Sequence, residues 1–363
     1  MLNHAGCRRW FFTLLIFTIL FPFPASSEQD QTNPQTFNDY PLPDFLTLCG
    51  EPVPLNDRLI WERLDREFTI SVWDRAQVFL YIKRAGRYFP YIEKKLKEAQ
   101  MPDDIKYLAL AESALIGYVR SHAGAKGYWQ FMPRTARRNG LRKDRMVDER
   151  LNFERSTQAA LRYLSRLKEM FGSWTLAMAA YNCGETRLKK EIKQQRVTDY
   201  YRINLPVETE RYIFRIAAIK IIMKNPERYG FRTAPERIYK PLEYDTVEIK
   251  SGNRIHMSDI AQALGTDYKT IKELNPQILG YYTPTGRFIV NVPPGTGDRL
   301  KAVMKQFTPS RPRYRKGPYY VVRSGDTLHK ISRKTGVPVS RLRAINGIEG
   351  TLIKVGQKLR LRP

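Results

Sequence analysis

The sequence predicts a mainly α-helical chain that ends in small mixed α+β modules. Three observations support this. Apolar residues recur at helical spacing through most of the first 230 positions, as in Leu59, Leu64, Val78, Phe79, Ile82, Ile92 and Leu96. After Pro235 short strand-like runs and turn residues replace that pattern. The final stretch, 319–361, alternates as strand, helix, helix, strand. With 363 residues the chain is long enough for two or three domains.

The elements follow in order. Leu59 to about Ala99 is helical, and Met101-Pro102-Asp103-Asp104 opens a new helix, with proline and acids where helix starts favour them. Residues 121–135, SHAGAKGYWQFMPRT, hold too much glycine and proline for a regular element and form a structured loop. Ser156 can cap a helix bearing Ala160, Leu164, Leu167 and Phe171, which stops at Gly172. WTLAMAAYN (174–182) is a short buried helix ended by Gly184, and 207–225 is another helix. In the last module Asp326 and Ser340 can cap its two helices, while Gly336 and Asn346-Gly347 end them. An upstream echo matches Met257, Ile260, Gly265, Ile271, Leu274 and Asn275 to Leu328, Ile331, Gly336, Leu342, Ile345 and Asn346 at one constant offset. Residues 243–294 are therefore expected to be a divergent copy of the C-terminal module. The stretch RPRYRKG (311–317) then belongs to a linker between the copies.

Charge and the first residues restrict the function. The net charge of +26 is spread along the chain and favours polyanionic or acidic partners. Arg8 and Arg9, the apolar run WFFTLLIFTILF and the small residues Ala25-Ser26-Ser27 have the layout of a secretory signal. Residues 1–27 are expected to be removed and the mature chain to lie in the periplasm. The run is short for a membrane span, but left uncleaved it would tie the protein to a membrane. Export argues against nucleic acid as the partner. Of the three cysteines Cys7 lies in the signal, and Cys49 and Cys183 could pair in an oxidising compartment but define no disulfide framework. Neither Cys7 nor Cys49 follows a lipoprotein-type cleavage sequence, so no lipid anchor is expected. The four histidines (4, 122, 256 and 329) never stand at ligand spacing, so no metal and no cofactor is expected. No Ser-His-Asp arrangement is visible either. Carboxylate chemistry remains.

Residues 108–117, LALAESALIG, set Glu112 among small apolar residues. On a helix it falls one turn after Leu108 and Ala109 and one turn before Leu115 and Ile116, on the stripe that faces the core. Two roles fit such an acid. It can be a buried structural carboxylate paired to an arginine or a backbone N–H. Alternatively, its apolar setting raises its pKa so that it stays protonated near neutrality and acts as an acid. Periodicity does not choose between them.

Several motifs in fixed order do bear on that choice. Glu112-Ser113, then GAKGYWQFMP at 124–133 with Thr135-Ala136, Asp148-Glu149-Arg150, AYNCG at 180–184, and Glu208-Thr209 with Tyr212 resemble the motif set of family 1 lytic transglycosylases. The C-terminal module, with Val322, SGDTL at 324–328, Ile331 and Val355-Gly356-Gln357, resembles a LysM domain. The resemblance implies a lysozyme-like helical catalytic domain followed by small β-α-α-β modules of LysM type. It implies cleavage of the MurNAc–GlcNAc β-1,4 bond of peptidoglycan without water, leaving 1,6-anhydro-MurNAc ends. Glu112 would be general acid and then base. Ser113, Gln130, Tyr181 and Asn182 would line the sugar cleft, and Tyr212 would close it beside the muramyl residue. Gly325, Asp326, Thr327 and Leu328 would serve glycan binding. Trp129, Phe131 and Met132 are expected to be core packing. The expected layout is a signal at 1–27, an N-terminal helical region at 28–98, the catalytic domain at 99–232, the divergent module at 243–294, a linker at 295–317 and the LysM domain at 318–363. Two departures from the pattern stand out: the lipoprotein cysteine is not evident, and the 243–294 copy lacks the Gly-Asp-Thr opening. The alternatives are a hydrolytic muramidase of the same fold and a catalytically inactive wall-binding scaffold.

Overall fold

A computed structural model describes residues 39–304 and 319–361. The signal at 1–27 and the RPRYRKG linker lie outside the described residues. The described chain begins with a two-residue antiparallel pair, β1 (Thr47–Leu48) and β2 (Glu51–Pro52). Asp57 accepts the amides of Leu59 and Ile60 and starts α1 (Arg58–Trp73). The helical stretch expected from Leu59 to about Ala99 is two helices divided at Asp74. This residue ends α1 and caps α2 (Arg75–Glu98) by accepting the Gln77 amide at 3.2 Å.

Asp103–Ile105 forms a 3-10 turn that leads into α3 (Lys106–Ser113). The glycine-rich loop follows and closes into the short helix α4 (Pro133–Arg138). The cap of α5 (Phe153–Phe171) is Asn152, not Ser156. Asn152 accepts the Arg155 amide at 2.8 Å, whereas Ser156 is buried inside the first turn and donates to the Phe153 carbonyl. Gly172, at φ 80°, ends α5. Next come α6 (Trp174–Cys183), α7 (Glu185–Gln195) and α8 (Val207–Lys224). Helix α7 was not anticipated from its charged sequence. Helix α8 is apolar on nearly every face because α1, α3 and α6 all pack on it. Its buried Lys220 donates to Asp104 and to the Thr47 carbonyl, both at 2.6 Å. The β1–β2 pair also reaches α6, whose first turn gives the Thr175 amide and hydroxyl to Glu51, each at 3.0 Å.

Beyond residue 240 the character changes. Strand β3 (Asp245–Ser251), α9 (Met257–Leu264), α10 (Tyr268–Leu274) and β4 (Gly286–Val292) form one β-α-α-β unit, with β3 and β4 antiparallel. Part of the expected linker is helical instead. Helix α11 (Gly297–Met304) packs on β3, Leu300 joins that unit's core, and Asp245 accepts the Gly297 amide at 2.8 Å. The second unit is β5 (Tyr319–Val321), α12 (Leu328–Thr335), α13 (Val339–Asn346) and β6 (Lys358–Arg360), again antiparallel. Its caps differ from expectation. Thr327 caps α12 by accepting the Lys330 amide, and Pro338, one position before the helix, starts α13 in place of Ser340.

The echo between the modules is physical. Asn275 donates to the Ile271 and Asn291 carbonyls at 2.8 and 2.6 Å and accepts the Asn291 amide at 2.8 Å. Asn346 repeats this on Leu342 and Arg360, at 2.8, 2.9 and 2.6 Å. In each unit one asparagine ties the second helix to the closing strand. Among the described residues no helix is long and apolar enough to cross a membrane. Cys49 and Cys183 are free thiols.

Candidate active site

Helix α3 ends one residue after Glu112. Ala114 and Leu115 then take left-handed conformations, φ 52° and 57°, which residues with a side chain rarely adopt. The sharp turn leaves Glu112 half-buried in the last helical turn, on the wall of a cleft. Gln130, Tyr181, Asn182 and Tyr212 line the same cleft. Four elements far apart in sequence therefore converge on one carboxyl group: α3, the loop before α4, the end of α6 and the start of α8.

Tyr212 is fully buried and its hydroxyl donates to Glu112 Oε1. Burial pushes the Glu112 carboxyl up from the ordinary glutamate range to about 7, against the lowering effect of the Tyr212 hydrogen bond and Arg215. The carbonyl end of the helix acts in the same direction as burial. Burial also holds the Tyr212 and Tyr181 phenols well above their usual value, so both remain hydrogen-bond donors at neutrality. Tyr181 donates to the Trp129 carbonyl at 2.7 Å. Asn182 Oδ1 accepts from the buried Thr209 hydroxyl at 2.8 Å, and among the described residues no hydrogen bond engages its amide nitrogen. Gln130 stands at φ 44° and spends its Nε2 on the Val119 and Gly127 carbonyls at 3.1 and 2.8 Å, which leaves Oε1 for the cleft.

Ser113 is not at the cleft wall. It is buried and its hydroxyl donates to the Tyr128 carbonyl at 2.6 Å, so it anchors the glycine-rich loop against α3. Trp129 and Phe131 are buried, with Trp129 Nε1 donating to Thr157 at 2.9 Å. Met132 departs from the expected packing role: it is 41% exposed and lines the cleft. Sequence reasoning also overlooked Glu208 and Arg215 on the wall. The Glu208-Thr209 motif places a second carboxylate at the cleft. Glu208 pairs with Arg215 at 3.0 Å and its side chain is 60% exposed. Asp104, by contrast, is consumed by Lys220 and the Cys49 amide.

A buried ion pair holds the cleft loop from behind. Arg150 binds Asp148 through two hydrogen bonds at 2.9 and 2.8 Å, then donates to the Gly124 and Phe131 carbonyls at 2.9 Å each. Gly127 is required there: it sits at φ 88°, and a Cβ would stand 1.9 Å from the Arg150 carbonyl oxygen. The segment carrying Asp148 pairs in turn with the first β-α-α-β unit. The Asp148 amide donates to Gln277 O at 2.9 Å, and the Leu279 amide to Met146 O at 2.7 Å.

In the C-terminal unit three of the four expected glycan-binding residues are used by the fold. Asp326 accepts from Tyr320 at 2.7 Å, from the Arg323 amide at 3.0 Å and from Lys334 at 2.7 Å, with Lys334 the main reason its carboxyl lies far below the usual range. Thr327 caps α12 and Leu328 is buried in the core. Gly325 makes the turn at φ 78°. What these residues can offer a ligand is backbone. Leu352 and Val355, on the loop before β6, are exposed apolar side chains. Among the described residues no cluster of His, Cys, Asp and Glu could hold a metal ion.

A helical scaffold presenting one raised carboxyl in an open cleft, followed by small β-α-α-β units, has the layout that a lysozyme-like, glycan-processing class of protein would show. Comparison with known proteins makes this specific. The family model for the transglycosylase SLT domain matches residues 89–204, and that for the LysM domain matches residues 320–362. The membrane-bound lytic murein transglycosylase D of Escherichia coli strain K12 is 32% identical over 330 residues, covering 85% of this chain and 69% of that protein. The chain belongs to the lytic transglycosylase family. A shorter stretch of 41 residues is 63% identical to the autolysin of Enterococcus faecalis, covering 11% of this chain and 6% of that one. The crystal structure of the 70 kDa soluble lytic transglycosylase of E. coli aligns with a TM-score of 0.30 and 18% identity, over 46% of this chain and 29% of that chain.

Proposed function

We propose that this chain is a periplasmic peptidoglycan lytic transglycosylase that cleaves the MurNAc–GlcNAc β-1,4 bond and leaves 1,6-anhydro-MurNAc ends. The observation that carries the reading is Glu112, its carboxyl raised to about 7 and held by Tyr212 on the wall of an open cleft. At neutrality such a group is protonated in a large fraction of molecules and can still give up its proton, as a general acid must. Glu112 donates its proton to the glycosidic oxygen, and the bond from that oxygen to C1 of the muramyl sugar breaks. The sugar's own 2-acetamido oxygen bonds to C1 and takes up the developing charge. The Glu112 carboxylate then removes the proton from the 6-hydroxyl, whose oxygen attacks C1 and expels the acetamido oxygen. The products are an anhydro ring and a free 4-hydroxyl, with Glu112 protonated again.

The remaining residues position the sugar. The Asn182 amide and Gln130 Oε1 offer a donor and an acceptor, and Tyr181 holds the loop that carries Gln130 through the Trp129 carbonyl. The C-terminal LysM unit would retain the enzyme on glycan strands and raise its local concentration there. One observation favours a second reading: Glu208 gives the cleft a second carboxylate, which could orient a water and make the protein a hydrolytic muramidase. Its exposure and its pairing with Arg215 speak against a nucleophilic role.

The test is muropeptide release from purified sacculi by the native protein and by Glu112→Gln. The variant keeps the cleft's shape and loses the transferable proton, so release should fall by a factor on the order of hundreds with the circular dichroism unchanged. Near-native release would make Glu112 a structural acid.

A further inference from the structure

Glu67 of α1 stands where α1 packs on α8, with 3% of its surface exposed. Hiding a carboxylate there is costly unless cations meet it. Three arginines do. Arg66 donates to its Oε1, Arg211 donates from Nε at 2.7 Å, and Arg215 Nε stands at 3.8 Å. Arg66 and Arg211 line a separate hollow with Val207 and Phe214, whereas Arg215 lines the cleft that holds Glu112. The spacing on α8 explains the difference. Glu208, Tyr212 and Arg215 are four and three residues apart, so they share one stripe, and on it Tyr212 bonds Glu112. Arg211, one turn before Arg215, belongs to the stripe that meets α1. Arg215 sits where the two stripes join. Its Nη1 pairs with the exposed Glu208 at 3.0 Å while its Nε faces the buried Glu67. Among the described residues no ion pair joins Arg215 to Glu112, so it acts there through space. Burial dominates the Glu112 proton and the Tyr212 hydrogen bond opposes it; Arg215 then holds the pKa down and Glu208 pushes it up. The other polar groups nearby are neutral or aimed elsewhere. Tyr181 of α6 donates to the Trp129 carbonyl, Tyr163 of α5 to Glu185 at 3.3 Å, and Arg84 of α2 to the Ala114 carbonyl at 3.2 Å.

This inference rests on the proposed function, in which Glu112 gives up one proton and later takes another from the 6-hydroxyl. Between those steps it is a carboxylate in a site whose burial disfavours charge. A cation held in place eases that state without moving during the reaction. An arginine left to follow the exposed Glu208 toward solvent would ease it less. We propose that Glu67 and Arg215 are positioning residues: the buried carboxylate of α1 fixes the Arg215 guanidinium at the cleft wall, where its charge supports the carboxylate that Glu112 becomes. Helix α1 lies ahead of the stretch 89–204 that matches the transglycosylase family model. The N-terminal helical region then completes the active site and does not merely cover it.

The experiment follows kcat/KM against pH on soluble glycan strands, beside carboxyl NMR titration of Glu112, in variants of the full chain. Arg215→Gln removes the cation and should move both the falling limb and the titration upward by roughly half a pH unit, less than a cation in direct contact would. Arg215→Lys keeps the charge and should restore most of the native limb. Glu67→Gln, and the milder Glu67→Asp that draws the carboxylate back from Arg215, should move both readouts in the same direction as Arg215→Gln. Combining Glu67→Gln with Arg215→Gln should shift them no further than Arg215→Gln alone, because the two residues act as one unit. Glu208→Gln, at an exposed position, removes an anion and should move both readouts downward. A limb and titration that stay in place in Arg215→Gln, or Glu67 variants that lose stability with the titration unmoved, overturn the proposal and leave the transglycosylase reading intact. Shifted titrations in a protein that cleaves no strand would defeat that reading and leave the arrangement around Glu112 standing.

Discussion

Glu112 and Tyr212 determine how the site responds to pH. In the proposed mechanism Glu112 begins protonated, so kcat/KM should fall as pH rises through about 7. The Tyr212 hydrogen bond lowers the Glu112 pKa. Tyr212→Phe should therefore move that falling limb to higher pH, and a limb that stays put or moves down would show the bond to be electrostatically idle. Stability carries the same signature. A carboxyl raised on folding from 4.5 to about 7 binds its proton more tightly in the native state. Its contribution is full below about 4.5 and is lost as pH climbs through about 7. Glu112→Gln escapes that loss, so its Tm advantage over the native protein should grow across this range. Glu112 was legible in sequence as an acid on an apolar stripe. The left-handed turn that brings it to the cleft was not, because nothing in Ala114-Leu115 announces positive φ. Ser113, which the motif resemblance places at the cleft, faces the glycine-rich loop instead, because the residue after Glu112 lies on a different face of the helix.

At the scale of elements, burial explains which boundaries were readable. Helices with a clear apolar stripe and a glycine stop, such as α5 and α6, were evident from the sequence. Starts were harder, since Asn152, Thr327 and Pro338 stand four, one and two positions from the expected Ser156, Asp326 and Ser340, and several residues in each stretch can cap a helix. Helix α7 hides in ETRLKKEIKQQ because only Leu188 is buried, leaving too little periodic signal. The repeated module could be found because its asparagine does the same work twice. Asn275 is wholly buried, whereas Asn346 is partly exposed. Replacing either by alanine leaves strand and helix groups unpaired, at about 2 kcal/mol for Asn346 and more for Asn275. Chemical denaturation of the two variants measures this. A cost at Asn346 equal to or above that at Asn275 would contradict the burial argument.

Across the whole molecule, the loop that shapes the cleft is held from outside its own segment. Gly124 and Phe131 hang on Arg150, Arg150 on Asp148, and the backbone of 146–148 on that of 277–279 in the first β-α-α-β unit. No residue pattern could have shown this, because it runs through backbone amides and carbonyls more than a hundred positions apart. Leu279→Pro removes the amide that meets Met146 and should speed hydrogen exchange across 119–132, with turnover of short glycans lowered in step. Unchanged exchange there would mean the unit merely sits beside the loop. The central claim, that one carboxyl group cleaves the glycan without water, has its most direct test in product mass. Sacculi digested in heavy-oxygen water should release muropeptides that carry no heavy oxygen at the new muramyl end and are lighter by one water than hydrolysis products. Heavy oxygen at C1, with a free reducing end, would contradict the claim and make Glu112 the acid of a hydrolase.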